Sequence, residues 1–318
     1  MKDAKAISAV IGVIAGIASA LLLAGAHQPS TFSLILIAAA SLPVLIAGLG
    51  WSNIASITAV VSACLVISVT TGPLAALSAG LTSLAPAAWI AHLNNLARPA
   101  TEIGGPEGRA AWYPLSDILF HISALMTVAL IVLGFLVGYG PELAGQMVDT
   151  IIKLFNEQEP SINITADTIA QMKAILVNLL PVLQGAMWVG ILFGMYALAR
   201  SIVRLSGRSK RPADDFAAQL RMPRTGLWVF AAGIAITFLP GPFNLVGWAL
   251  IGTFGGGFIL TGFALMHFTT RGKSWRFFVL WLAYFSVILF TLPLLLFLAY
   301  GLSSTGRLST MTPNDPKS

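Results

Sequence analysis

Long, nearly uninterrupted apolar segments follow one another along most of the chain, separated by short stretches that contain charged residues, glycine or proline. Apolar and polar positions do not alternate as they do in half-buried strands, so helices are indicated. A helix needs ~20 mostly apolar residues to cross the ~30 Å hydrocarbon core of a bilayer, and it satisfies its own backbone hydrogen bonds there. The pattern therefore predicts an all-α fold, a polytopic integral membrane helical bundle.

Nine of these segments are predicted to span the membrane. Their approximate bounds are 6–26, 31–49, 51–70, 73–93, 115–139, 174–202, 226–240, 243–268 and 277–300. The seventh is short and ends at the sequence LPGP, residues 239–242, so a re-entrant segment remains an alternative there. We expect one transmembrane domain over residues 1–300 and a flexible tail at 301–318.

The composition agrees with a lipid environment. Of the 318 residues, 57% are hydrophobic and only 9% are charged, and the mean hydropathy is +0.85. A soluble domain of this size would need far more polar surface, so the lipid bilayer is the first expected partner. The single cysteine, Cys64, lies in an apolar run and excludes a disulfide framework.

Charge is concentrated in one place. The window from Arg200 to Arg224 holds seven of the 18 Lys and Arg residues. Because Lys and Arg accumulate in cytoplasmic loops, residues 203–225 are predicted to form a basic cytoplasmic loop, with a cytoplasmic N-terminus. The first apolar run also fits a cleaved secretory signal, although at ~18 residues it is longer than such a region usually is.

Two loops carry amphipathic patterns. In the basic loop, Pro212 is a suitable first residue for a short helix with Phe216 and Leu220 on one face. Such a helix would lie on the membrane surface or dock a cytoplasmic protein, and the two roles are compatible. The candidate docking residues of this loop are Asp214, Phe216, Arg221 and Arg224.

The outer loop, residues 140–173, is acidic. Its apolar residues recur every four positions from Leu143 to Phe155, which predicts an amphipathic helix on the outer surface or a lid over a cavity.

Residues that could carry chemistry are scarce. The sequence contains no GxSxG, HExxH or P-loop motif, and its four histidines are scattered. Asp117 and His121 lie four positions apart and could pair, but a helix cap beside a partly solvated histidine explains them equally simply. We therefore expect no enzymatic activity, no cofactor and no metal site. The basic excess is explained by the membrane loops, so no nucleic-acid partner is expected.

Polar and small residues inside the predicted spans suggest two sites. Asn178 and Gln184 lie on different sides of the sixth helix, with Pro181 between them. Together with Gly252 and Gly256 they form the candidate cavity, although bonds between helices and ordinary packing would explain them too.

A second group, Gly12, Gly16 and Ala20, forms a ridge of small residues spaced by four. This ridge packs inside the bundle or docks another membrane subunit.

Seven stretches occur in an order that carries a family resemblance. They are GLGW (48–51), GPLAAL (72–77), LARP (96–99) with WYPL (112–115), PADDFAAQLRMPR (212–224), LPG (239–241) and LTGFALMH (260–267). The chain resembles the YybS-like family of uncharacterised bacterial membrane proteins in its alphaproteobacterial form. The sequence after residue 301 departs from that pattern.

The resemblance implies a protein of the bacterial inner (plasma) membrane. It also implies a distant similarity to the substrate-binding components of energy-coupling-factor transporters. Those proteins bind a small molecule among their helices and dock a partner subunit through small-residue ridges. By that analogy the ridge of Gly12, Gly16 and Ala20 would be the docking face.

Two functions follow as expectations. The leading one is passage of a small neutral or hydrophobic solute, with this chain as transporter or as its binding component. The alternative is a non-transporting scaffold that docks partners through the basic loop. The first requires a cavity between helices near mid-bilayer, whereas the second requires a filled bundle and an ordered surface at residues 208–224.

Overall fold

The computed structural model describes residues 2–26, 32–158 and 164–306, and most of these are helical. The α-helices are α1 Lys2–Gly25, α2 Ser33–Ala39, α3 Leu42–Gly50, α4 Asn53–Thr70, α5 Pro73–Ala79, α6 Ala85–Asn94, α7 Leu115–Val137, α8 Pro141–Gln158, α9 Ala166–Leu205, α10 Phe216–Gln219, α11 Arg224–Ile236, α12 Phe243–Thr269, α13 Arg276–Leu289 and α14 Pro293–Ser303. Short strands β1 Ala97–Pro99 and β2 Ala110–Trp112 pair in an antiparallel hairpin.

Within the described residues, seven helical segments are long and apolar enough to cross a membrane. They are Asp3–Gly25, Ser33–Gly50, Asn53–Thr70, Pro73–Asn94, Leu115–Leu136, Ala166–Leu205 and Phe243–Thr269. The second combines α2 and α3, and the fourth joins α5 to α6 through a π-helical turn at Gly80–Leu84. The predicted all-α polytopic bundle is confirmed.

Two of the nine predicted segments differ from full-length helices. The seventh is α11, whose 13 residues reach about 20 Å and end at Ile236. The ninth, predicted at 277–300, is two helices of 14 and 11 residues, because Phe290 is extended and Pro293 begins a new helix. Proline lacks the amide proton that a continuing helix needs and disfavours helical backbone before it.

Both loops contain the predicted helical segments, although their bounds and environments differ from expectation. The outer loop forms α8, where the buried side chains are Ala144 and Val148, while Met147 and Ile151 of the predicted stripe remain exposed. The basic loop contains only the four-residue α10, at Phe216–Gln219. The predicted tail lies outside the described residues from position 307 onward.

Helix α12 is the most buried of the long helices and packs against α7, α9, α11 and α14. Its glycines allow neighbouring backbones to come very close. A side chain at Gly252 would meet the backbone of Val182 on α9, and one at Gly262 would meet the carbonyl oxygen of Phe297 on α14. Small residues permit such close approach in membrane bundles, so these glycines fix how α9 and α14 pack on α12.

Replacing Gly262 by alanine should destabilise the bundle. The added methyl group overlaps the Phe297 carbonyl oxygen, and overpacking of this kind typically costs about 1–3 kcal/mol. The matched control is Gly190→Ala on α9, where nothing lies within 4 Å of the new methyl group. Thermal unfolding in detergent checks this, and equal stability of the two variants would contradict the packing described.

Candidate functional site

Four loops that are distant in sequence meet at one end of the bundle. The Lys210 Nζ donates a hydrogen bond to the carbonyl oxygen of Trp51 at 3.1 Å, and Arg211 Nη1 donates to that of Tyr113 at 2.7 Å. Arg271 pairs with Asp215 in the same region. We call the surface formed by residues 51, 95–114, 204–224 and 270–275 the basic end.

A buried charge cluster holds the long loop in place. One oxygen of Asp214, Oδ2, lies 2.7 Å from Arg200 Nη1 and 2.7 Å from Arg211 Nε. The three side chains are only 4–10% exposed. Both arginines also donate to loop carbonyl oxygens, Arg200 to that of Pro212 at 3.2 Å and Arg211 to that of Tyr113. One carboxylate therefore ties α9 to the loop that follows it.

Aromatic rings surround this cluster on the side of the bundle. The Arg200 guanidinium lies 5.2 Å from the ring centre of Phe216 and 5.7 Å from that of Tyr196. The Phe216 ring also packs edge-on against Phe193. Tyr196 is fully buried and donates to Asn94 Oδ1 at 2.8 Å. Phe216 therefore faces the protein instead of forming an outward docking surface.

Asp215 makes a second, more exposed ion pair. Its two oxygens accept hydrogen bonds from Arg271 Nη1 and Nη2, each at 2.5 Å, and Oδ1 also caps α10 by accepting from the amide of Ala218. The hydrogen bonds from Arg271 hold the pKa of Asp215 below its ordinary value. The pair joins the basic loop to the turn after α12.

The end of the loop inserts into the bundle. Leu220 and Met222 are buried, and Met222 fills the space beside Gly226 and Gly257, where a larger residue would collide with it. Arg221 is only 8% exposed, and its Nη1 donates to the carbonyl oxygens of Leu220 and Ala217. The loop thus closes this end of the bundle.

This arrangement corrects the predicted docking residues. Asp214, Phe216 and Arg221 face inward, because charged groups and rings beside an apolar core pair or pack with partners within the chain. Arg224 remains exposed. Sequence reasoning did not single out Arg204, Arg208 and Lys210, which are among the exposed cations of this end. The sequence signal for these cations was their position at and just after the C-terminal end of a long apolar helix.

The ridge of Gly12, Gly16 and Ala20 is covered within the chain. Side chains at Gly12 and Gly16 would collide with Thr58 and Ser62 of α4, and Ala20 is only 3% exposed. Since α4 occupies the ridge, another subunit has no access to it. The expected docking face is an internal helix interface.

The candidate cavity is also filled. Gly252 and Gly256 press against the backbones of Val182 and Ala186 on α9, and α12 continues through them without a break. Gln184 Oε1 accepts a hydrogen bond from the hydroxyl of Tyr139. The four predicted residues therefore do not surround a common space, because the glycines serve close helix packing.

Asn178 lies outside that contact region. It is half-buried and sits before Pro181 on the same helix, toward the α8 side. It shares no cavity with Gly252 or Gly256.

Polar side chains of neighbouring segments also contact one another. Thr127 of α7 and Thr253 of α12 lie 2.6 Å apart through their hydroxyl oxygens. The Nε2 of His121 lies 3.1 Å from the hydroxyl of Tyr113. Among the residues that the structure describes, no group of three His, Cys, Asp or Glu could hold a metal ion.

These features define a polytopic, all-helical membrane protein whose loops close one end of the bundle. The chain belongs to DUF2232, a family of predicted membrane proteins, whose sequence profile matches residues 16–302. No curated protein and no solved structure matches the chain.

Replacing Asp214 by asparagine should release the basic loop. It leaves two buried guanidinium groups without their counter-charge, and breaking a buried pair typically costs about 3–5 kcal/mol. Asp215→Asn is the control, because its pair is 40–43% exposed and such pairs contribute ~1 kcal/mol or less. Faster tryptic cleavage after the buried Arg221 measures loop release; equal rates in both variants would contradict the role of Asp214.

Proposed function

We propose that this protein is a non-catalytic membrane scaffold that docks an acidic protein surface at its basic end. The observation that carries the proposal is the combination of a filled bundle with an ordered loop at residues 206–223. A scaffold requires both features, whereas a solute carrier requires a cavity at the position that α9 and α12 fill. We further propose that the protein lies in the bacterial inner membrane.

The charge distribution supports an acidic partner. Both loop aspartates are neutralised within the chain, Asp214 by two arginines and Asp215 by Arg271. Arg204, Arg208 and Lys210 are exposed, and within the described residues none of them lies in ion-pair distance of a carboxylate. Exposed Glu102 and Glu107 also lie at this end, but cations outnumber them, and an ordered, predominantly basic surface accelerates association with an acidic one.

The proposed orientation places the basic end in the cytoplasm, following the preference of Lys and Arg for that side. A Cys64→Ser background carrying Ser209→Cys should resist a membrane-impermeant maleimide in intact spheroplasts and react after lysis. The control, Asn156→Cys on α8, should react before lysis. Labelling of the cysteine at 209 in intact spheroplasts would reverse the orientation and remove the basic end from cytoplasmic partners.

Charge reversal at the basic end tests docking. Arg204→Glu with Arg224→Glu should reduce the yield of crosslinked partner at least tenfold, because reversed charges repel an acidic surface. Lys153→Glu is the matched control, since Lys153 is an exposed cation on α8, at the opposite end. Quantitative mass spectrometry after crosslinking in cells measures the yield of crosslinked partner. High salt should lower this yield in the same direction as the two substitutions.

Two outcomes would count against the scaffold. One is a partner yield that Lys153→Glu lowers as much as the double variant does. The other is saturable uptake of a solute by vesicles containing the purified chain alone, which would restore the transport hypothesis.

A further inference from the structure

An apolar groove runs between α1 and the α2–α3 segment. It encloses about 450 Å³, within the ~300–1,000 Å³ typical of ligand clefts. Its walls are apolar side chains throughout. The lining residues are Ile11, Ile14, Ala15, Ala18, Leu22, Ala39, Leu42, Pro43, Ile46, Ala47 and Trp51.

The groove has the depth of one membrane leaflet. On α1 it extends from Ile11 to Leu22, a length of about 16 Å at 1.5 Å per residue. That is roughly half of the ~30 Å hydrocarbon core, whereas a spanning helix from a partner would need ~20 residues and the full thickness. The dimensions fit an acyl chain from a single leaflet better than they fit a helix.

One end of the groove carries positive charge. At the basic end, the Arg208 guanidinium lies 4.4 Å from the ring centre of Trp51. Lys210 reaches the same residue through a hydrogen bond to its carbonyl oxygen. Both cations are exposed, and within the described part of the chain neither forms an ion pair with a carboxylate. Tryptophan is enriched at the level of the lipid headgroups, so the cations stand where a phosphate would lie.

We propose that this groove is a binding site for one anionic phospholipid of the leaflet on the basic side. An acyl chain lies along Ile14, Ala18 and Ile46, and the headgroup phosphate accepts hydrogen bonds from Arg208 and Lys210. Basic residues near the membrane surface attract anionic lipids, and the groove adds selectivity by fixing the chain beneath the cations. Both proposals involve Arg208 and Lys210, but the lipid site needs no protein partner and the docking test changes neither residue, so each proposal can fail without the other.

The test uses the full chain, purified in detergent, stripped of lipid and titrated with phosphatidylglycerol or phosphatidylcholine under native mass spectrometry. We expect one phosphatidylglycerol to bind at least tenfold more tightly than phosphatidylcholine. Arg208→Gln with Lys210→Gln should remove most of that preference, because two cations at ~1 kcal/mol each account for at least a tenfold difference in affinity. Ala18→Trp should abolish tight binding by filling the groove.

The control for groove filling is Val13→Trp, on a face of α1 that is 43% exposed and outside the groove. It should leave the binding unchanged. Inorganic phosphate should compete only weakly, since it lacks the acyl chain.

Equal affinity for the two lipids would overturn the proposal, as would unchanged phosphatidylglycerol binding in Ala18→Trp. The proposal would also be overturned if inorganic phosphate bound as tightly as phosphatidylglycerol, because the cations would then form a site for a free anion. If Ala18→Trp fails to fold, the Arg208 and Lys210 variant, which changes only exposed side chains, still decides the outcome.

Discussion

The backbone-to-backbone contact of α12 with its neighbours is the constraint on which the remaining structure depends. Gly252 and Gly256 bring α9 against it, Gly262 brings α14, and Gly257 leaves room for Met222 of the basic loop. In a bilayer, no water is released when helices meet, so close van der Waals packing has to supply the association energy. The loop can close the bundle only because α12 offers it a space without a side chain.

The basic loop shows how a charged segment is accommodated beside an apolar core. Removing charges from water is costly unless each one is paired and hydrogen-bonded. Asp214 meets this condition by lying between Arg200 and Arg211, which also bond loop carbonyl oxygens. Because this cluster uses its acid internally, the exposed charge of the basic end is predominantly positive.

The all-α membrane fold was predictable because the length and hydropathy of the apolar segments are enough to indicate helices in a bilayer. The break at Phe290 was not anticipated, although Pro293 stood in the sequence, because apolar composition continues through it. The glycines of α12 were recognised as unusual, but a cavity and a close helix contact demand the same residues. Which one forms depends on the partner backbone, here Val182 and Ala186, and sequence periodicity does not identify that partner.

Helix α9 has a mechanical consequence for the molecule. Its 40 residues extend about 60 Å. The Lys173 contact with Asp149 of α8 and the Arg200 contact with Asp214 are separated by about 40 Å of this length. Pro181 interrupts its hydrogen bonding and would be the natural pivot, but Gly252 of α12 presses on the backbone of Pro181 and Val182. With that pivot clamped, we expect α9 to move as one rod, so that a tilt imposed on one side of the membrane would displace the loop on the other.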